Sequence, residues 1–268
     1  MLAVESLRVT FRRDRAPPVE VLRGVSLTLE RGATLGIVGE SGSGKSVLAL
    51  SVIGLLPRNA RAEGRVLLDG TDLLTLSERG MRDVRGRRIG MIFQEPMTAL
   101  NPAMRVGVQI AEGLRVRRGL SRGNARTEAL RLLDRVQIPQ AGRRIDSYPH
   151  EMSGGERQRV GIAIALALEP DLLIADEPTT ALDVTVQAGI LDILGDLVAD
   201  LGLSLILISH DLGVIARLAD RTLVMHRGAE IEQDATERVL RRPGHDYTRT
   251  LIDAMPRRAR ATLEAGRA

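Results

Sequence analysis

The stretch GESGSGKS, residues 39–46, decides the fold class of this chain of 268 residues. It fits the pattern G-x-x-x-x-G-K-[ST], and it lies between the apolar segment TLGIVG and a helical pattern that Pro57 ends. Glycines let the backbone curl, so that N–H groups and the helix N-terminus converge on phosphate oxygens. The stretch therefore predicts a phosphate-binding loop between a buried strand and a helix. A glycine-rich turn that only caps the helix is the structural alternative.

We expect this loop to bind nucleotide phosphates through a continuous run of residues. Lys45 would reach the β- and γ-phosphates, and the Ser46 hydroxyl would ligate Mg²⁺. Lys45 is the only lysine in the chain, although Lys and Arg together number 38. A compact ammonium fits among backbone amides where a planar guanidinium is too wide, so we predict that arginine cannot replace it. The expected nucleotide-binding residues of the loop are Gly39, Glu40, Ser41, Gly42, Ser43, Gly44, Lys45, Ser46 and Val47.

The composition is typical of a globular protein, with 44% hydrophobic and 27% charged residues. The longest apolar stretches, such as VGIAIALAL at residues 160–168, are shorter than the ~20 residues that span a bilayer. The N-terminus has no basic region before a long apolar run, so we expect no secretory signal and a cytoplasmic location. With no cysteine, an iron–sulfur cluster is excluded. The formal charge of only +4 does not predict a nucleic-acid partner.

The order of the patterns predicts an α/β core with an antiparallel β subdomain near the N-terminus. Residues 96–168, approximately, have a helical pattern and are expected to form an inserted helical subdomain. Strands return at DLLIAD and LSLILIS, each followed by a helix, as in a parallel sheet. TLVMHRG and AEIEQD then predict a closing hairpin. We expect one domain over residues 1–250 and an arginine-rich tail over residues 251–268.

The segment LLIADE, residues 172–177, is a buried-type strand that ends in two carboxylates. Asp176 could hold Mg²⁺ through water, and Glu177 could point at the water that attacks the γ-phosphate. Solvated acids at the end of a strand are the structural alternative. The phosphate loop earlier in the chain favours the catalytic interpretation.

The segment MSGGERQR, residues 152–159, contains the S-x-x-E pattern of a helix capping box in Ser153 and Glu156. A cap does not require Gly154 and Gly155, which lower helix stability but allow a phosphate to approach the backbone. An exposed helix start with bare N–H groups attracts anions. Both a structural cap and an anion site are therefore compatible with this segment.

These motifs together resemble those of ABC-type ATPases, from about residue 2 to residue 234. Gln94 in IFQEP, Asp183 in TALD and His210 in LISHD complete the family's set in the right order. The resemblance implies a P-loop, RecA-like ABC ATPase core that hydrolyses ATP with Mg²⁺. It identifies residues 153–156 as the signature motif, which contacts an ATP bound to a second subunit.

The resemblance also implies individual roles. Gln94 would sense Mg²⁺ and the permease, Asp183 would be the D-loop aspartate, and His210 would contact the γ-phosphate. Phe11, at the end of the first strand, would stack on adenine, with an ordinary core phenylalanine as the alternative. The implied catalytic residues are Glu177, His210 and Gln94, and the implied Mg²⁺ ligands are Ser46, Gln94 and Asp176.

The signature departs from the family's usual form at two positions. Glu156 stands where Gln is common, and Met152 where Leu is common. A capping box accepts either Glu or Gln, so the helix start should survive. An extra negative charge near phosphate could change rates, and we do not expect it to inactivate the protein.

One phosphate loop and one signature per chain imply a head-to-tail dimer, because in the family the two motifs face one ATP across two subunits. The expected partners are a second ATPase subunit, identical or paralogous, two transmembrane permeases and, indirectly, a solute-binding protein. This implies a peripheral location on the cytoplasmic face of the inner membrane.

Further segments resemble the oligopeptide, dipeptide and nickel importer subfamily: EPMTALNPAMRVG, YPHEMSGG, EPTTALDVTVQA and HDYTRTLIDAMP. Peptides are the expected cargo, and nickel or a metal chelate is the alternative within the subfamily. A soluble ABC ATPase that acts on nucleic acid or ribosomes is an alternative of another class, as is a P-loop kinase. Neither a paired ATPase domain nor a coiled-coil insertion is present in the sequence, and a kinase would not explain SGGE, TALD and SHD together.

Overall fold

The computed structural model describes residues 1–14, 16–94, 100–180 and 182–254. Its strands, in chain order, are β1 (Leu2–Arg13), β2 (Ala16–Leu29), β3 (Thr34–Val38), β4 (Ala60–Leu68), β5 (Thr71–Asp72), β6 (Ile89–Ile92), β7 (Leu172–Asp176), β8 (Ser204–Ile208), β9 (Arg221–His226) and β10 (Ala229–Ala235).

Helices lie between and after these strands, and short 3₁₀ turns cover Leu73–Thr75 and Pro149–Glu151. The α-helices, in chain order, are α1 (Lys45–Val52), α2 (Glu78–Val84), α3 (Val106–Arg118), α4 (Arg122–Arg135), α5 (Ala141–Arg144), α6 (Gly154–Leu166), α7 (Val184–Leu201), α8 (Leu212–Leu218), α9 (Thr236–Arg241) and α10 (Asp246–Asp253). In the described part of the chain, none of these helices has the length and apolar character needed to cross a bilayer.

The described residues divide into two compact units. The first unit holds residues 1–81 and 204–254. It contains an antiparallel sheet of order β2-β1-β4-β5, and it contains β3 with parallel neighbours β8 and β9. All residues of β3 and β8 are buried, as the uninterrupted apolar patterns of both strands predict. β10 pairs antiparallel with β9, which is the predicted hairpin.

The second unit spans residues 82–203. It contains the parallel pair β6 and β7 together with α3 to α7. Helices α3 to α6 lie inside the segment expected to be helical, although the compact unit is wider because it also includes β6, β7 and α7. The limits of the domain and of the helical subdomain remain predictions. Helix α10 continues to Asp253, past the expected boundary at residue 250, and residues 255–268 lie outside the described residues.

Two local expectations differ from the structure. The helix after the phosphate loop ends at Val52 rather than near Leu56, because Gly54 follows with a φ of 62° and breaks the helical path. Helix α2 lies between strands, in a region where the sequence pattern predicts no helix. Its start is supported by Ser77, whose hydroxyl accepts the N–H of Gly80 at 3.3 Å.

Candidate functional site

The phosphate loop joins the buried strand β3 to helix α1, as the sequence predicts. Lys45 is only 5% exposed, and its Nζ donates to the carbonyl oxygens of Gly39 at 2.7 Å and Glu40 at 2.9 Å. The side chain therefore curls back over the loop that carries it. Gly44 precedes α1 with a φ of 101°, a conformation that suits glycine.

The end of β9 and the turn that follows it contact the phosphate loop. A Cβ at Gly39 would stand 2.2 Å from the Met225 carbonyl oxygen, so only glycine fits this approach. The N–H of Gly228 donates to the Ser43 carbonyl at 3.0 Å. Backbone contacts from this part of the sheet therefore help to fix the shape of the loop.

Three features of the loop fit a phosphate-bearing ligand. Within the described residues, no side chain caps the start of α1. The Ser43 hydroxyl is 4% exposed and has no hydrogen-bond partner among the described residues. A buried polar atom without a partner is costly, and a phosphate oxygen would satisfy it. Gly42 faces open space, so a ligand meets no side chain at that point of the loop.

Phe11 and His210 belong to the same unit as the phosphate loop. Phe11 lies near the end of β1, half-buried, where it pairs with Val19 of β2 and Ala60 of β4. His210 is exposed and lies just beyond the end of β8, after the buried Ser209. β8 is the direct neighbour of β3 in the parallel sheet.

In the second unit, Gln94 and Glu177 come together. Asp176 ends β7 and is 4% exposed, and Glu177 follows it. The Gln94 Nε2 donates to the Glu177 Oε2 at 3.3 Å, and the Thr180 Oγ1 donates to the same oxygen at 2.8 Å. Glu177 has a φ of 46°, an unfavourable conformation for a residue with a Cβ. Its carboxylate is thus oriented by two donors on a strained backbone.

The signature segment forms a complete capping box at the start of α6. The Ser153 Oγ accepts the N–H of Glu156 at 3.2 Å, and the Glu156 Oε2 accepts the N–H of Ser153 at 2.8 Å. The other Glu156 oxygen, Oε1, pairs with the Arg144 Nη2 at 3.2 Å. The carboxylate that replaces the usual glutamine therefore caps the helix and has a cationic partner.

Packing adds a second reason for one of the signature glycines. A Cβ at Gly155 would stand 2.6 Å from the Val186 Cγ1 of α7, so any larger residue would require the Val186 side chain to shift. Asp183 caps the same helix by accepting the N–H of Val186 at 3.0 Å. A Cβ at Gly154 would lie 3.3 Å from Leu182, which is a tight contact. Close packing against α7 thus gives Gly155 a structural role in addition to the proposed contact with phosphate.

The expected site residues fall into two groups. The phosphate loop, Phe11 and His210 lie in the first unit, and the second unit holds Gln94, Asp176, Glu177, residues 153–156 and Asp183. The sequence does not indicate Thr180, Arg144 or Tyr247, whose hydroxyl accepts the backbone N–H of Glu40 in the phosphate loop at 3.1 Å. Thr180 follows Glu177 closely in the sequence and could have been considered, but the other two are distant in sequence from the groups they contact.

Comparison with known proteins identifies the class. Residues 22–180 match the family model described as ABC transporter, which covers more than half of the chain. The chain therefore belongs to the ABC transporter family, and it is an ATP-binding cassette that hydrolyses ATP. The family and fold class inferred from the sequence are confirmed.

Relatives of known name refine this assignment. The oligopeptide transport ATP-binding protein OppD of Salmonella typhimurium is 48% identical over 257 residues, which are 96% of this chain and 76% of that protein. A Brucella abortus protein named for peptide import and ATP binding is 51% identical over 257 residues, 96% of this chain and 77% of that protein.

Solved structures agree with the fold. A dimeric ATP-binding cassette in a post-hydrolysis state with ADP and Pi superposes with a TM-score of 0.78 at 27% identity, covering 88% of this chain and 99% of that one. The protein cbiO1 of Clostridium perfringens, part of the cbiONQ ABC transporter complex, superposes with a TM-score of 0.75 at 29% identity. That match covers 97% of this chain and 98% of cbiO1.

Proposed function

We propose that this chain is the ATP-hydrolysing subunit of a membrane importer for peptides or related small solutes. The observation that carries the proposal is the conformation of the phosphate loop. The buried Lys45 donates to two loop carbonyls, and the buried Ser43 hydroxyl has no hydrogen-bond partner among the described residues. Relatives named for peptide import, near 50% identity, support the transport role and the cargo class.

The loop residues would bind the ATP phosphates. Backbone N–H groups at the start of α1 and the Lys45 ammonium face negative charge, and Phe11 would stack on the adenine. Mg²⁺, when bound, neutralises charge on the phosphate oxygens. Ser46 and Asp176 would hold this ion, with Gln94 as a further ligand, since hydroxyl, carboxylate and amide oxygens are the ligands that it prefers.

Glu177 would accept a proton from the attacking water. The Thr180 and Gln94 donors both bind its Oε2, and these hydrogen bonds would orient the carboxylate toward the water. His210 would contact the γ-phosphate, consistent with its exposed place after β8. The products are ADP and phosphate.

A second ATPase subunit, identical or paralogous, would complete the site. The chain has one phosphate loop and one signature, and the capped start of α6 at residues 153–156 would contact the ATP of the partner subunit. Asp183 would act in the same interface from the start of α7. ATP would favour the closed pair and hydrolysis the separated pair, so that the nucleotide state changes the populations of two conformations.

The remaining partners follow from the family. Two permease subunits would form the path through the membrane, and a solute-binding protein would deliver the cargo. The chain would then lie peripherally on the cytoplasmic face of the inner membrane. The binding protein and the permeases would select the cargo, and this chain would not bind the peptide itself.

Co-purification tests this proposal. The chain would be expressed with candidate permease subunits from the same organism and reconstituted in vesicles with a candidate solute-binding protein. We expect a complex whose ATPase rate rises when the peptide-loaded binding protein is added, and a Lys45→Ala complex should show no such rise. Stimulation by DNA or ribosomes, with no effect of the permeases, would contradict the import function.

A further inference from the structure

A tyrosine of the last described helix contacts the phosphate loop. Tyr247 lies in the first turn of α10, and its hydroxyl oxygen accepts a hydrogen bond from the backbone N–H of Glu40 at 3.1 Å. Glu40 is the residue directly after Gly39, where β3 leads into the loop. One amide of the loop is therefore held by a side chain 207 residues further along the chain.

The ring of Tyr247 rests on the strand that also supports the loop. It packs against the imidazole of His226, with ring centroids 4.0 Å apart and an angle of 40° between the planes. His226 ends β9, and the preceding residue, Met225, supplies the carbonyl that closely approaches Gly39. Burial raises the pKa of Tyr247, so its hydroxyl stays protonated at neutral pH.

A carboxylate fixes the start of α10. Glu232 of β10 accepts the N–H of Gly244 at 2.7 Å, the N–H of His245 at 3.2 Å and the hydroxyl of the fully buried Thr248 at 2.6 Å. Burial acts to raise the pKa of Glu232, but these hydrogen bonds outweigh it and the pKa is lowered. The ionised carboxylate thus determines where the first turn of α10, and with it Tyr247, is placed.

We propose that Tyr247 is a positioning residue for the phosphate loop: its hydroxyl holds the Glu40 amide and so keeps the loop in the conformation that binds ATP. The inference rests on the proposed function, because it assumes that this loop binds ATP. A loop held in its binding conformation loses less conformational freedom when the ligand binds. Loss of the hydroxyl therefore weakens ATP binding and leaves the chemical step unchanged, since Tyr247 is not one of the residues proposed to act in hydrolysis.

The substitution Tyr247→Phe tests this role, because it removes the acceptor and keeps the ring on His226. In the full chain we expect the Kd for ATP, measured with a fluorescent ATP analogue in competition, to rise about 2- to 10-fold, which corresponds to one hydrogen bond. The KM for ATP should rise in parallel, and kcat should stay within about two-fold of the original. The control is Thr250→Val in the same helix. The Thr250 hydroxyl has one described hydrogen bond, to the Asp246 carbonyl, so its removal should change neither the Kd nor the KM for ATP.

A second variant tests whether the anchor of α10 acts on the loop through Tyr247. Glu232→Gln weakens the anchor of α10 without touching the loop, and it should raise the Kd for ATP less than Tyr247→Phe does. Unchanged ATP affinity in Tyr247→Phe, or a fall in kcat and thermal midpoint with an unchanged KM, would overturn the positioning role while the unsubstituted chain still binds ATP. Failure of the unsubstituted chain to bind ATP would instead remove the proposed function, and this inference with it.

Discussion

Arg144 pairs with the acidic signature residue Glu156, and its removal should weaken the function of the signature. Arg144 donates to Glu156 at 3.2 Å, and the two side chains are 36% and 15% exposed. Exposed pairs contribute about 0.2–1 kcal/mol, whereas removing one partner of a fully buried pair costs about 3–5 kcal/mol. Because this pair is intermediate in exposure, we expect Arg144→Ala to reduce the free energy of ATP-dependent dimerisation by about 1–2 kcal/mol. That corresponds to about 5- to 30-fold in an equilibrium constant.

This loss should affect dimerisation, the step in which the signature would contact the ATP of the partner subunit. With Arg144 removed, the Glu156 carboxylate still caps α6 but carries an uncompensated charge toward phosphate. ATP-dependent dimerisation, measured by analytical ultracentrifugation in a Glu177→Gln background, should weaken by the factor above while ATP binding to the monomer is unchanged. The double variant Arg144→Ala/Glu156→Gln should recover most of the loss, because glutamine can cap the helix without the charge.

The neighbouring arginine provides a matched control. Arg143→Ala removes the same charge from the same short helix, and Arg143 makes no described side-chain contact with Glu156. It should leave dimerisation within about two-fold, as expected for an exposed site. Equal losses in both variants would indicate a general charge effect. A double variant no better than Arg144→Ala alone would refute compensation of Glu156 as the role of Arg144.

Three further substitutions test the nucleotide-binding roles. Lys45→Arg should lower ATP affinity by at least about ten-fold, because the guanidinium cannot occupy the buried position on the Gly39 and Glu40 carbonyls; near-normal affinity by calorimetry would contradict this. Phe11→Ala should weaken ATP binding several-fold, about 1 kcal/mol through lost stacking, and an unchanged Kd would make Phe11 a structural residue. Ser153→Arg should leave ATP binding to the monomer intact and abolish dimerisation, so persistent ATP-dependent dimers would argue against a signature contact in trans.

Local motifs account for what the sequence could predict. The phosphate loop and the strands β3, β7 and β8 are contiguous segments whose own residues determine their conformation, and the structure contains each of them. Helix α1 ends earlier than the Pro57 signal predicts, because Gly54, with a φ of 62°, stops it first. Helix α2 is short and highly charged, and its sequence has no apolar periodicity to indicate it.

Contacts between distant segments account for what the sequence could not predict. The cationic partner of Glu156 could not be predicted, because the sequence does not show that Arg144 at the end of α5 lies beside the start of α6. The space occupied by Val186 explains Gly155 in the same way. Tyr247 belongs to a segment that resembled the importer subfamily, but only tertiary structure brings its hydroxyl to the phosphate loop.

The most direct test of the central claim is the oligomeric state of Glu177→Gln with ATP. If Glu177 is the base of an ATPase that closes as a head-to-tail dimer, this variant should bind Mg·ATP, lose hydrolysis by orders of magnitude and accumulate as a dimer in size-exclusion chromatography. With ADP it should remain a monomer. Turnover equal to that of the unsubstituted chain, or a monomer at saturating ATP, would contradict the account.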